Sequence, residues 1–187
     1  MNAQLYGGVT AFNSNGFTVS QGSSNAAFVN YSGFTYVGWQ WKAGGTAVTN
    51  TAGSITSQVS ANTTAGFSVV TFTTPSSFTN ATVGHGLGVT PAMIITKSRT
   101  STGGWVVWHV SLGTTGYLSL DSTSASATNS QAYNGQSSTT FTMGSNSWWQ
   151  TAEQNWVSYC FAAIPGYSAF GSYTGNGSTD GPFVYCG

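Results

Sequence analysis

Charge is nearly missing from this chain, and that absence limits its possible folds more than any motif does. Lys42, Lys97, Arg99, Asp121, Glu153 and Asp180 are its charged residues, in a length of 187. An ordinary soluble domain is about 25% Asp, Glu, Lys and Arg. The wetted surface must therefore be built from Ser, Thr, Asn, Gln and Gly. These residues are neutral to poor in helix interiors, and helical signals are correspondingly scarce. Net charge is zero. There is little repulsion to keep copies apart, which favours association. A basic footprint for nucleic acid is absent. No run approaches the roughly 18 apolar residues of a membrane helix, so membrane insertion is not expected. Met1–Thr10 has no basic start followed by an apolar run, so no secretory leader is expected there and release by lysis would fit.

The apolar share is 40%, with 7 Trp, 9 Tyr and 11 Phe, enough to build a core. It comes in short β-branched or aromatic runs bounded by turn residues, the pattern of strands. The runs predict strands at Gly16–Ser20, Thr35–Lys42, Ser54–Ala61, Phe67–Thr73, Ala92–Arg99, Trp105–Val110, Tyr117–Asp121, Thr139–Met143, Trp156–Ala163 and Phe183–Cys186. Many short strands at modest spacing indicate an all-β protein, an antiparallel β-sandwich of jelly-roll or lectin-like kind with long polar loops. Asp121–Thr140 is low-complexity Ser, Thr, Ala, Asn and Gln, and reads as a long surface loop. A weak echo links Phe17-Thr18-Val19 and Tyr36-Val37-Gly38-Trp39 to Phe141-Thr142-Met143 and Tyr159-Cys160-Phe161. It suggests a single sandwich domain over 1–187, with one full module at about 45–165 between partial repeats.

Few groups could carry chemistry. Glycoside hydrolysis needs two carboxylates facing one bond. Glu153 with Asp121 or Asp180 is the one way to make that pair, and their spacing does not favour it. Asp180 lies in Asn176-Gly177-Ser178-Thr179-Asp180-Gly181, which reads as a turn. His85, between glycines in Gly84-His85-Gly86-Leu87-Gly88, reads as a structural residue bonded to its own loop. His109 alternates with tryptophans and reads as lining a sheet face. Cys160 and Cys186 read as buried free thiols, with a disulfide between them as the alternative, and without a CxxC or nearby His no metal is expected. No cofactor and no catalytic residue is expected either.

The aromatic content is the strongest binding signal. Trp148-Trp149 follows Gly144-Ser145-Asn146-Ser147 and precedes a polar stretch. Flat rings beside amides and hydroxyls suit a neutral sugar surface. The candidate ligand-binding residues are therefore Trp148, Trp149 and Gln150, with Asn129, Gln131 and Tyr133 from the polar loop.

Four strings carry a resemblance: Phe34-Thr35-Tyr36-Val37-Gly38-Trp39-Gln40-Trp41-Lys42-Ala43-Gly44-Gly45, Gly66-Phe67-Ser68-Val69-Val70, Gly84-His85-Gly86-Leu87-Gly88-Val89-Thr90-Pro91, and the stretch from Tyr167-Ser168 through Tyr173-Thr174-Gly175-Asn176-Gly177. From about Gly7 onward the chain resembles a module of tail-fibre and related structural proteins of tailed phages, especially phages of marine bacteria. The resemblance implies a virion surface protein, extracellular after release, that serves as fibre or in adsorption to a host. It implies other virion proteins, further copies of the chain and a host cell-surface glycan as partners. Fibres are commonly trimeric; the sequence does not give the number. In similar sequences the Asp180–Gly187 string runs on into another strand, so the expectation here is a minimal module or a strand supplied by a neighbouring subunit. A capsid decoration protein without a receptor is the alternative, and a polysaccharide depolymerase a more distant one.

Overall fold

The computed structural model describes residues 6–23, 29–144 and 153–185. The chain forms two compact units, Met1–Gln40 and Trp41–Gly187. Among the described residues the fold is all-β: thirteen strands, every ladder antiparallel, and one short 3-10 turn at Val110–Leu112.

The first unit is built on a hairpin of β1 (Gly8–Asn13) and β2 (Gly16–Ser20). Phe12 faces Phe17 and Asn13 faces Gly16 across it. The Asn13 amide donates to the Thr18 hydroxyl at 3.1 Å and holds the turn. Beyond it, the Tyr31 N–H donates to the Tyr36 hydroxyl at 2.9 Å, and the Tyr31 and Phe34 rings meet edge to face. A Cβ on Gly38 would stand 3.2 Å from the Phe17 ring, so the missing side chain is what lets that ring approach. Thr35–Lys42, predicted as a strand, joins no ladder. Its alternating pattern suits a pleated surface, but a strand also needs a ladder for its backbone groups; here the Lys42 carbonyl accepts from the Asn62 side-chain amide instead. No described residue of this unit is buried.

The second unit holds the core. Its large sheet has the order β10-β9-β8-β7-β13-β5-β4-β3. The strands are β3 (Val48–Asn50), β4 (Ser57–Asn62), β5 (Phe67–Thr73), β7 (Met93–Ser98), β8 (Val106–His109), β9 (Gly116–Ser119), β10 (Ala127–Thr128) and β13 (Asn155–Phe161). The small sheet is β11 (Tyr133–Gln136), β12 (Thr140–Met143) and β6 (Ala81–Gly84). The last strand, β13, lies in the middle and pairs with β5 on one side and β7 on the other. It thereby joins two meanders into one sheet.

Alternation decides which side chains meet the small sheet. Val59, Val70, Phe72, Ile94, Trp108, Trp156 and Cys160 of the large sheet cluster with Val83, Tyr133, Phe141 and Met143 of the small one. The Phe72 and Phe141 rings lie 6.1 Å apart across the gap. The two sheets enclose one core, as the all-β sandwich reading expects. Hydroxyls are buried among the apolar groups, and each needs a partner there. Tyr133 donates to Thr96 Oγ1 at 3.0 Å, and Thr96 Oγ1 stands 2.7 Å from Ser158 Oγ. Ser57 Oγ donates to the Gly84 carbonyl and ties the sheets together.

Asp121–Thr140 is not one long loop. It contains β10 and β11, and Ala132 and Tyr133 within it are fully buried. Two apolar residues in a polar run are too few to show a period, yet they suffice to pin the segment to the core. Phe183–Tyr185 forms no strand, and Cys186 lies outside the described residues. Cys160 is a buried free thiol whose pKa burial pushes up to about 12, the Ser68 hydroxyl opposing slightly.

Candidate functional site

A cavity of about 610 Å³ opens at one end of β4, β5 and β13. Strand register assembles its polar wall. Gln58 of β4 faces Thr71 of β5, and Thr73 of β5 faces Asn155 of β13, all at outward positions of the pleat. Thr73 Oγ1 donates to Asn155 Oδ1 at 2.8 Å, and Gln58 Nε2 donates to Thr49 Oγ1 at 3.0 Å. Each amide so fixed keeps its other polar atom for a ligand. Ser54 and Thr56 add hydroxyls and exposed Pro75 an apolar surface, while the core residues Ile55 and Phe72 and the buried Thr74 complete that part of the lining. Arg99 and Glu153 complete the lining with two of the chain's six charges.

The stretch Glu153–Asn155 is clamped from both sides. On one side the Glu153 N–H donates to the Thr74 carbonyl, and the Thr74 N–H donates to the Gln154 carbonyl. On the other, the Arg99 N–H donates to the Asn155 carbonyl, and the Asn155 N–H donates to Thr100 Oγ1. Gln154 Oε1 accepts from Ser98 Oγ and Ser101 Oγ. Within this clamp Glu153 holds a left-handed backbone, φ 55°. A residue with a Cβ pays about 1–2 kcal/mol for that conformation. The bonds around it hold it there, at the mouth of the cavity.

Of the residues singled out from sequence, Trp148, Trp149 and Gln150 lie outside the described residues. Asn129, Gln131 and Tyr133 are not in the cavity lining. Asn129 is half-buried, and its Oδ1 accepts from the Gln131 N–H at 2.9 Å in a local turn. Gln131 is exposed. Tyr133, expected on a binding loop, is instead a core residue with no exposed surface. Its hydroxyl can be buried because Thr96 receives it, and burial raises its pKa.

The remaining ionisable groups serve local structure. Asp121 accepts from the Trp105 N–H at 3.2 Å. Asp180 sits in the turn expected of it, its N–H on Ser178 Oγ and its carbonyl on the Asn176 amide. His85 is buried between Leu87 and Ser137. Among the described residues, no group of three His, Cys, Asp or Glu side chains could hold a metal ion. The cavity residues escaped notice in the sequence because no motif unites them. Gln58, Thr71, Thr73 and Asn155 become neighbours through register alone. The one available signal was the polar outward positions of strands otherwise rich in Val and Phe.

The sequence profile of a domain of unknown function, DUF7483, matches residues 2–187. No curated protein and no solved structure matches the chain.

Proposed function

The chain belongs to the DUF7483 family, and on that premise we propose that it is a tail-fibre-like structural protein of a tailed-phage virion, standing as a homo-oligomer and contacting host-surface glycan through the cavity beside Glu153. The observation that carries the glycan reading is the cavity wall: the Gln58 and Asn155 amides and the hydroxyls of Ser54, Thr56, Thr71 and Thr73 are brought together in one lining, with exposed Pro75 among them. A sugar offers the matching pattern, with hydroxyls at its edge and C–H groups on its face. Arg99 suits an acetyl or carboxylate oxygen on such a ligand. The virion reading is supported by the tail-fibre-like strings and by a surface of uncharged side chains.

Binding without turnover is the better fit. A glycosidase sets two carboxyl groups about 5–10 Å apart across the scissile bond. The cavity lining includes Glu153 and neither Asp121 nor Asp180.

The test is binding of the intact chain to host cells and to a glycan array. Asn155→Ala and Arg99→Ala should each weaken binding by about tenfold, the loss of one good hydrogen bond. Trp148→Ala with Trp149→Ala tests the adjoining segment in the same assay. An intact chain that binds no glycan ends the receptor part of the proposal. Purified particles without the chain end the virion part.

A further inference from the structure

Among its described residues, the unit Met1–Gln40 shows no buried core of the kind a domain of its size needs. A lone two-stranded hairpin is marginal in water, and chains below about 40 residues usually need a metal, disulfides or oligomerisation to fold. None of its described residues is buried. Its large apolar side chains face outward instead: Phe12 is 88% exposed, Val37 79%, Trp39 74%, Phe34 67% and Val9 50%. The unit contains no Asp, Glu, Lys, Arg or His at all.

We propose that this unit is the self-association module of the chain, and that its occupant is the same unit of further copies. Two observations select a second copy over a different partner. The first is charge. A surface without charged groups cannot discriminate by electrostatic complementarity, which is how unlike partners are usually told apart, and identical neutral surfaces do not repel. The second is area. Those five side chains offer on the order of 600 Å² per copy, so two copies would bury about 1,200 Å² in total, above the roughly 1,000 Å² of a specific interface. Self-complementary surfaces meet about a symmetry axis, residue on matching residue.

From the preceding section this inference takes only the claim that the chain assembles with itself; the glycan site plays no part in it. The experiment is sedimentation of the full chain over a range of concentrations. The intact chain should run as a multiple of its 19.3 kDa. Trp39→Glu should reduce it to a single-chain mass with the β-sheet circular dichroism retained. Phe12→Ser, on the exposed face of the hairpin, gives a second reading should Trp39→Glu fail to fold. Tyr173→Glu, an exposed aromatic of the other unit, should leave the mass unchanged. A monomeric intact chain overturns both this inference and the homo-oligomer reading. An oligomer that survives Trp39→Glu and Phe12→Ser overturns this inference alone, and so does one that Tyr173→Glu disperses equally well.

Discussion

The His85 ring accepts the Leu87 N–H at Nδ1, 3.2 Å away, and its Nε2 stands 3.2 Å from the Ser137 carbonyl. Only the neutral ring protonated at Nε2 satisfies both neighbours. Burial lowers the pKa below the ordinary 6.5, the largest effect, and the Ser137 bond offsets part of it. The unfolded chain therefore binds the proton more readily than the folded one. Stability from this residue is full above about pH 6.5 and is lost as pH falls through that value toward the folded pKa. Melting temperature should drop on mild acidification, and His85→Gln should flatten that slope. His109 contributes in the same direction, its pKa also lowered by desolvation. Glu153 gives a second prediction at this scale. Glu153→Gly removes the left-handed strain but loosens the unfolded chain, for a net gain of about 0.5 kcal/mol. Thermal melting should show the gain, while glycan binding weakens in the same variant.

Among elements, the small sheet matters beyond its length. Phe141 of β12 is fully buried against Phe72 of β5. Phe141→Ala should cost about 3–5 kcal/mol in denaturant unfolding, whereas Tyr173→Ala, at an exposed position outside the sheets, should stay within about 0.5 kcal/mol. Sequence reading separated these cases unevenly. Strands such as Phe67–Thr73, Val106–His109 and Thr140–Met143 were legible because turn residues bound a β-branched or aromatic run. Gly8–Asn13, Val48–Asn50, Ala81–Gly84 and Ala127–Thr128 were missed, because small or polar residues leave them no clear apolar alternation. Thr35–Lys42 showed the period and still joins no ladder. Tyr133 was misplaced because polar neighbours in sequence hid an apolar environment in space. The cavity was illegible for a related reason: pairing Gln58 with Thr71 and Thr73 with Asn155 depends on which strands become neighbours, and local patterning does not state that.

At the scale of the whole molecule, six charges leave salt little to screen. Assembly through a unit with no Asp, Glu, Lys, Arg or His should persist in concentrated sodium chloride and strengthen in sulfate, which drives apolar burial. Sedimentation at both extremes checks this; dispersal by sodium chloride would point to charged contacts elsewhere. Architecture constrains this molecule in time as well. The ladder of β13 to β5 and β7 is the seam of the large sheet, and its residues leave the ribosome after nearly everything they join. Until Asn155–Phe161 emerges, the nascent chain carries two half-sheets with raw edges, the kind that pair with a neighbour's. A message cut short of that seam would yield sticky fragments rather than a smaller working protein.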